Sequence, residues 1–519
     1  MKRELTIALS AALLLSGATL SMHIDLHEAL KASAQTIAGT PDEEIAVRAP
    51  GGARNEASGE SRSAPPSGES RSAPPSDESQ SAPPSNETSL EAAGGAFERG
   101  RAAREIDGDA QLTGAIESTG ADESAVHLIS GHLDVDGATI VRKSIERASG
   151  AAKRCGVGAA VLVTGGDAEI RDSLIDTQAD GGAGAFASGA GAISIADTSI
   201  ETRGDASDGV HASAGGTLEA ENLNVVARGA SSAAIRADRG GEIKVSGGSF
   251  SAAGEDSPAI RAAANVDVSG AALTAGNAEA LRVEGPGAVR LDGCRLSGNM
   301  PDSAAGGAWT VMLYRSAPGG AGAGEGRFEM SGGALSSGNG GLFYTTNADS
   351  ALVLSGVEIK AEASDYFLRC TGNRRGWGVS GGNGANCRFT GIAQEMPGDV
   401  VWDSISNLSL YLTAGSRLRG AVIQDESCAG GGGAGACELY VGADSQWIVT
   451  GDSRVTRLYC AGGIRDVTGE TVRIVGADGR VYVDGDSPFT VTVDAYSAEC
   501  DLSGAEALSG PRREAGAPL

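Results

Sequence analysis

The chain alternates apolar and polar positions in a pattern that repeats along residues 161–296. Within one copy the apolar residues stand at alternate positions with polar residues between them, and they are Ile235, Ala237, Ile243, Val245 and Phe250. Glycine-rich corners such as Gly240-Gly241 divide each copy into three runs. Alternation with a period of two predicts short strands with one buried face, and the glycine corners predict tight turns between the strands.

The copies follow one another at nearly constant spacing. Their first apolar residues are Val161, Phe186, Val210, Ile235, Ile260 and Leu281, so successive copies start 25, 24, 25, 25 and 21 residues apart. A fixed period of this length is typical of a solenoid in which each copy forms one three-sided coil. We predict an all-β fold, a right-handed single-stranded parallel β-helix, because a left-handed form would need a shorter and stricter repeat.

Composition favours a narrow stack of coils. The 519 residues include 79 Gly, and aromatic residues make up 4% of the chain, which is too few to fill a wide globular core. All four Trp and all eight Tyr lie between Trp309 and Tyr496. We therefore predict regular coils over 109–300, wider aromatic-rich coils with long loops over 301–500, and a flexible tail over 501–519.

The residues before the repeats have a different character. Met1-Lys2-Arg3 precedes an apolar run, which predicts a signal peptide with its flanking segment over 1–34 and a secreted or cell-surface location. Small residues at 16–18 and at 32–34 offer two cleavage points, and an uncut run could instead anchor the chain in a membrane. The units SGESRSAPP, SGESRSAPP and SDESQSAPP predict a disordered Ser/Pro/Gly-rich spacer over 35–108.

The charge balance limits the partners. The 41 basic and 67 acidic residues give a formal net charge of −26. Binding to nucleic acid needs a basic face that neutralises phosphates. No nucleic acid partner is therefore expected.

Eight cysteines in an exported chain suggest disulfides. The candidate bridges, two of which would close Gly-rich loops, are Cys370–Cys387, Cys428–Cys437 and Cys460–Cys500. Cys155 and Cys294 lie about five coils apart in the predicted stack, which is roughly 24 Å and beyond the reach of a disulfide. We predict that these two cysteines do not pair.

One row of basic residues follows from the predicted coils. Each member lies between the two inward residues of the first strand in its copy, so the row points outward with neighbours about 4.8 Å apart. The members are His211, Arg236, Arg261 and Arg282. Nearby acids could neutralise this row, namely Glu219, Asp238, Asp267 and Glu279. Alternatively, the row could hold an acidic sugar chain through paired Arg–carboxylate hydrogen bonds.

A second candidate site lies in the Gly-rich segment between Cys370 and Cys387. An exposed Trp377 could stack on a sugar ring while Arg374 and Arg375 fix a charged substituent. Trp377 could equally fill the widened coil, so both interpretations stay open.

Other chemistry has little basis in the sequence. The five His, at 23, 27, 127, 132 and 211, do not belong to a zinc-site motif, and nucleophile and phosphate-loop motifs are missing. No catalytic residue, metal or cofactor is predicted. Acidic turns such as 347–349 and 484–486 could still ligate Ca²⁺.

The aromatic-rich part resembles a known family. Its phrases GGLFYTTNADSALVLSGVEI, GWGVSGGNGAN, GDVVWDSISNLSLYLTAGSRLRGAV, WIVTGDSRVTRLY and VYVDG follow one another within residues 326–486. They look like the C-terminal half of secreted right-handed parallel β-helix repeat proteins of gut and oral bacteria. The resemblance implies a pectate-lyase-like fold and an adhesin-like or carbohydrate-associated role, without agreed catalytic residues. The cysteine-bracketed loops depart from the family pattern.

These features favour a binding protein. We expect a monomeric, secreted or surface-displayed, adhesin-like β-helix that recognises an extracellular glycan or a host or cell-surface partner, without catalysis. One alternative is a polysaccharide lyase or glycoside hydrolase acting on acidic glycans. Lyases on this fold use Ca²⁺-binding acids beside a basic residue, and no acidic cluster is evident on the strand positions beside the Arg row. The other alternative is a structural surface protein without a ligand.

Overall fold

The structure is a computed structural model that describes residues 101–144, 155–302, 307–317, 324–361 and 366–510. The predicted signal peptide and the predicted spacer up to residue 100 lie outside the described residues. Regular structure is already present at Arg101, so the β-helix begins earlier than the predicted boundary at 109.

The described chain is built almost entirely from short strands. The first twenty are β1 Arg101–Asp107, β2 Ala110–Ser118, β3 Glu123–Ser130, β4 His132–Arg142, β5 Val161–Arg171, β6 Leu174–Thr177, β7 Ala185–Ala196, β8 Ser199–Thr202, β9 Val210–Ser213, β10 Thr217–Glu221, β11 Asn224–Ala227, β12 Ile235–Ala237, β13 Glu242–Ser246, β14 Ser249–Ala252, β15 Ile260–Ala262, β16 Asn265–Ser269, β17 Ala272–Ala275, β18 Leu281–Glu284, β19 Ala288–Asp292 and β20 Arg295–Gly298.

The second half continues in the same way, with one short 3₁₀ helix at Glu426–Cys428. Its strands are β21 Trp309–Tyr314, β22 Glu325–Ser331, β23 Ala334–Ser337, β24 Gly341–Thr346, β25 Asp349–Ser355, β26 Glu358–Lys360, β27 Tyr366–Cys370, β28 Asn386–Ile392, β29 Glu395–Pro397, β30 Asp399–Trp402, β31 Asn407–Thr413, β32 Arg417–Arg419, β33 Val422–Gln424, β34 Ala436–Val441, β35 Gln446–Val449, β36 Ser453–Cys460, β37 Gly463–Asp466, β38 Arg473–Gly476, β39 Val481–Val483 and β40 Thr490–Ser497.

Each coil contributes one strand to each of three faces, and equivalent strands pair in parallel. The first sheet contains β9, β12, β15, β18, β21, β24, β27, β30 and β33, preceded by parts of β3, β5 and β7. The second sheet contains β10, β13, β16, β19, β22, β25, β28, β31 and β34. The third face contains β6, β8, β11, β14, β17, β20, β23 and β26, followed by the separate sheet of β29, β32, β35 and β37. The fold is the predicted right-handed parallel β-helix.

The inward residues form one continuous core, as the alternation predicted, with one exception. Ile235, Ile243 and Phe250 are fully buried within it. In the copy that begins near residue 185, however, Ala185 points inward, and Phe186 pairs with the outward Leu162 and His211. The prediction was wrong by one position there because Phe186 is apolar although it points outward; it packs with Ala159, Leu162 and Ala183 on the outer side of the sheet.

The core becomes more aromatic toward the C-terminus. Four phenylalanine rings pack together at centroid distances of 5.1 to 6.1 Å, and they belong to Phe328, Phe343, Phe367 and Phe389. Trp402 and Trp447 are buried, and the indole nitrogen of each donates a hydrogen bond of 2.9 Å to a backbone carbonyl oxygen. The indole N–H groups of these buried rings are therefore hydrogen-bonded.

The described residues contain no disulfide, so the predicted disulfides are not supported. Cys437 points into the core, whereas Cys428 is half-buried as the last residue of the 3₁₀ helix. Cys370 and Cys387 are neighbours in the core, where burial and then the hydrogen-bonded Cys387 raise the pKa of the Cys370 thiol. A raised pKa keeps this thiol protonated and slow to oxidise.

Residues 501–510 lie against the outer face of the second sheet, although the sequence predicted a flexible tail over 501–519. We call residues 501–510 the C-terminal strap. The Glu506 carboxylate bridges Arg327, at 3.0 Å, and Arg388, at 2.9 Å. The Ser509 backbone N–H donates to Glu329 at 2.8 Å. Residues 511–519 lie outside the described residues.

One corner of the coils is packed too closely for larger residues. A Cβ atom on Gly229 or Gly254 would lie 1.9 or 1.8 Å from a backbone carbonyl oxygen of the preceding coil. Beside these glycines, Ser207, Ser232 and Ser257 form a buried row in which each hydroxyl accepts a backbone N–H hydrogen bond from the coil before, at 2.9 to 3.0 Å. The row satisfies backbone groups that the corner removes from water.

We predict that Gly229→Ala destabilises the coil stack, because the added methyl group overlaps backbone that cannot move away. The expected loss is about 1–3 kcal/mol in the free energy of unfolding, measured by denaturant titration. Gly431→Ala is the matched control, since a Cβ at Gly431 meets no atom within 4 Å. Equal stability of the two variants would contradict this account of the corner.

Candidate functional site

The predicted basic row is present and aligned. Arg236 pairs with His211 on one side and with Arg261 on the other, and Arg261 pairs with Arg282. The four residues therefore lie in successive coils on the outer face of the first sheet. The row is less open than the sequence suggested, because His211 is 3% and Arg282 is 8% exposed.

Two aspartates flank the first half of the row. His211 lies between Asp208 and Asp238, with a ring nitrogen 3.3 Å from one oxygen of each. Arg236 contacts the same acids, at 3.6 Å and 3.0 Å. Burial alone would raise the pKa of Asp238, but His211, Arg236 and the Ser213 hydroxyl outweigh burial and hold this pKa well below its ordinary value. Both acids therefore act as counterions to the row.

The second half of the row is also paired. Arg282 binds Glu279 at 2.5 Å and Asp256 at 2.6 Å, and Arg261 lies 3.3 Å from Glu284. Glu279 is completely buried. The interpretation that acids neutralise the row is confirmed for Asp238 and Glu279.

The other two acids expected beside the row, Glu219 and Asp267, lie on the second sheet instead. The expectation of no acidic cluster beside the Arg row concerned the strand positions. Asp208, Asp256 and Glu279 lie in the connections before the strands, so strand positions alone did not reveal them.

The Gly-rich loop of the second candidate site packs onto the same face. Arg375 Nη1 lies 3.3 Å from the second oxygen of Glu279 and so joins this loop to Arg282. Trp377 stacks on Tyr314, with ring centroids 4.3 Å apart and planes 22° apart. Trp377 is half-buried on the outer face and does not fill the core. The two predicted sites are therefore one continuous surface, with Glu279 as the shared counterion.

An aromatic pocket of about 470 Å³ lies beside this loop. Its aromatic residues are Trp309, Tyr344 and Tyr366. The ring centroid of Trp309 is 5.1 Å from that of Tyr344 and 6.4 Å from that of Tyr366. Its polar residues include Arg369, Arg374 and Asp425. We refer to these six residues together as the aromatic pocket.

The polar groups of the aromatic pocket are held in place by one another. Arg369 lies 2.9 Å from the Asp425 carboxylate, and its guanidinium is 5.9 Å from the centre of the Tyr344 ring. Arg374 donates to the Ser427 carbonyl oxygen at 2.8 Å and remains exposed. Tyr366 is 44% exposed. Trp309 and Tyr344 are buried, at 4% and 2% exposed, so the pocket offers one open aromatic ring, that of Tyr366, with charged groups at its edge.

Sequence reasoning found only Arg374 of this pocket. Tyr344 and Arg369 continue the basic row in register, beyond Met312, so extending the period past residue 300 would have located them. Trp309, Tyr366 and Asp425 come from strand ends and a loop that meet only in the folded chain. No local pattern in the sequence marks these three.

The described ranges contain no group of three or more His, Cys, Asp or Glu side chains arranged to hold a metal ion. Two acidic turns were candidates for Ca²⁺. In the turn at 347–349, Asn347 is buried and donates to the Arg315 carbonyl oxygen at 2.8 Å. In the turn at 484–486, the Asp484 carboxylate lies 3.7 Å from the Arg473 guanidinium. In the part of the chain that the structure describes, no helix is both long enough and apolar enough to span a bilayer.

We predict that Arg282→Ala lowers the free energy of unfolding by about 3 kcal/mol, because it leaves the buried Glu279 with only Arg375 as a cation. Arg228→Ala, which removes an exposed partner of Glu201, should cost less than about 1 kcal/mol. Chemical denaturation of both variants measures the difference. Similar losses would show that Glu279 does not depend on Arg282.

The lowered pKa of Asp238 predicts that the stability of the fold decreases at acidic pH. A carboxyl group with a lower pKa in the folded state adds stability above its unfolded pKa, near 4, and this stability is lost as the pH falls below it. Urea titrations from neutral to strongly acidic pH should show this loss in the parent chain and a flatter profile for Asp238→Asn. The exposed Glu395→Gln serves as control and should keep the parent profile; a parent-like profile for Asp238→Asn would contradict the assignment.

Compared with protein-family models, curated proteins and solved structures, the chain matches none of them. The fold is therefore assigned from the strand pairing of this chain. The pectate-lyase-like relationship stays a prediction that rests on the phrases within residues 326–486.

Proposed function

We propose that this protein is a secreted or surface-displayed, adhesin-like β-helix that binds carbohydrate in the aromatic pocket. The observation that carries the proposal is the combination of Trp309, Tyr344 and Tyr366 with Arg369, Arg374 and Asp425 around one cavity. The exposed ring of Tyr366, which Trp309 supports from behind, provides flat apolar surface for the face of a sugar, and charged side chains at the edge bind its hydroxyl or carboxylate groups. The cavity volume is within the range of about 300–1,000 Å³ that is usual for small-ligand sites.

The pocket is a better candidate than the basic row. Each Arg of the row already has a carboxylate partner, so an acidic sugar chain would have to displace Asp238, Glu279 or Glu284. Replacing a buried ion pair with a ligand ion pair gains little free energy. Arg374, in contrast, is exposed at the pocket edge, where a substituent of a bound sugar could reach it.

A polysaccharide lyase or glycoside hydrolase is the second candidate function. It is favoured by Asp208, His211, Arg236 and Asp238, which bring two carboxylates, an imidazole and a guanidinium together. Against it, His211 and Asp208 are both buried, so a substrate could reach them only after a rearrangement of the face. A structural surface protein without a ligand is the third candidate.

A glycan array probed with the full chain, with and without Ca²⁺, tests the proposal. Binding should be lost, by about tenfold or more in affinity, in the double variant Tyr366→Ala/Arg374→Ala, because one aromatic face and one charged group of the pocket are removed. Both side chains are partly or fully exposed, so the fold should be retained. Every glycan that binds is then incubated with the chain and analysed for shortened products.

The control variant is Arg417→Ala, an exposed arginine on β32, outside the pocket. It should bind as the parent does. Binding that survives the Tyr366/Arg374 variant would place the site elsewhere, and release of shortened products would favour the enzyme. A chain that binds no glycan would contradict the proposed function.

A further inference from the structure

The C-terminal strap is held by contacts at two of its residues. The Glu506 carboxylate lies between Arg327 and Arg388, at 3.0 and 2.9 Å. Three positions further on, the Ser509 backbone N–H and hydroxyl both donate to the Glu329 carboxylate. These contacts therefore bind an acid and a serine that stand three positions apart.

Two further contacts of the strap use its backbone. The Glu506 N–H donates to the Thr390 hydroxyl at 2.9 Å, and the Ala507 carbonyl oxygen accepts a hydrogen bond of 2.9 Å from Arg327. None of the contacts named so far uses the side chain at position 507 or 508. The residues between the acid and the serine can therefore differ without loss of these contacts.

The surface under the strap is apolar at its centre. Ala351 and Val353 of β25 are in register with the strap-binding residues of β22 and β28 and point outward with them, yet both are completely buried. The strap, which binds the strands on either side, covers them. We call this surface the strap site, and it consists of Arg327, Glu329, Ala351, Val353, Arg388 and Thr390.

The predicted spacer repeats the sequence pattern that the strap site binds. In the strap, Glu506-Ala507-Leu508-Ser509-Gly510 is followed by Pro511. The spacer contains Glu-Ser-Arg-Ser-Ala-Pro at 60–65 and at 69–74, and Glu-Ser-Gln-Ser-Ala-Pro at 78–83. A glutamate, any two residues, a serine, a small residue and a proline follow one another at these four places in the sequence and nowhere else. Each spacer unit thus offers the same acid, backbone and serine groups as the strap.

The units outnumber the segments that the site can hold. Each chain carries three of them, whereas its strap site holds one segment at a time. The strap lies at the surface, where the Glu506 carboxylate stays partly exposed, and such segments detach at a small free-energy cost. Once one unit of another chain has bound, its tethered neighbours raise the effective concentration for rebinding. This arrangement favours a link between copies.

We propose that the strap site binds a spacer unit of a second copy of this chain in place of its own strap. The strap is then an intramolecular competitor that keeps copies apart at low concentration. The proposal does not rest on carbohydrate binding in the aromatic pocket.

Fluorescence anisotropy with a labelled peptide of residues 58–75, which contains two units, tests the recognition. The full chain with an opened strap, Glu506→Ala/Ser509→Ala, should bind this peptide about tenfold more tightly than the parent chain, because the strap no longer competes. A control peptide in which each Glu exchanges places with the Gly before it keeps the composition but puts Arg three positions after Glu. It should bind about tenfold more weakly, because the acid and the serine no longer reach their partners together. Equal binding of the two peptides, or no gain on opening the strap, would overturn the proposal.

A variant of the site locates the binding. Arg388 is 48% exposed, so Arg388→Gln in the opened-strap chain should fold normally. It should weaken the peptide about fivefold, because one of the two cations at the acid is lost. Arg417→Gln is the matched control on the third face, since Arg417 is 52% exposed and also has a carboxylate partner. Equal losses in the two variants would show a general charge effect and overturn the proposal.

Sedimentation velocity over a range of concentrations identifies the source of the unit. The opened-strap chain should associate at concentrations at which the parent chain is monomeric. Adding Glu60→Ala, Glu69→Ala and Glu78→Ala should return it to a monomer, because the units lose their acid. Association that survives these three changes would assign it to another surface and overturn the proposal. An opened-strap chain that binds the peptide but stays monomeric would overturn the second copy in favour of the chain's own spacer.

Discussion

The structure depends on one constraint, which is that every coil must stack on the next at the spacing of hydrogen-bonded parallel strands, about 4.8 Å. A residue at a given position of the coil is therefore packed between its own counterparts. At the corner that contains Gly229 this spacing leaves no room for a side chain, and buried backbone N–H groups there bond to the hydroxyl of a stacked serine such as Ser232. Small and polar residues at the corners are as necessary to this fold as the apolar residues inside it.

The same stacking determines how charge is arranged. In the basic row, cations lie above cations, so their counterions must come from the sides. Asp208 and Glu279 each stand two positions before the first inward residue of their coils, whereas Asp238 and Glu284 each follow the last inward residue. On the second sheet, acids and bases alternate along the outward row of Glu219, Lys244, Asp267 and Arg290, so neighbours can neutralise one another.

The period and the inward positions could be predicted because they are local properties of the sequence. An outward apolar residue such as Phe186 is the case that alternation cannot resolve, since its cover comes from Ala159, Leu162 and Ala183. The alignment of Arg236, Arg261 and Arg282 followed from the period, but the burial of Arg282 did not. Arg375, which reaches Glu279, lies 96 residues later in the chain, and no pattern near Arg282 indicates it.

The aromatic pocket was hidden for a related reason, and its position follows from the topology. The loops after β27 and after β33 both leave the coil between the first and second sheets, so they emerge at one corner and contact each other. Arg374 and Ser427 meet there although 53 residues separate them. A parallel stack fixes the positions of the strands but not the length of the loops at its corners. The loops at this corner can therefore be lengthened without disturbing the core. A pocket assembled from such loops can change its lining residues while the inward residues stay the same, and this separates the requirements of binding from those of stability.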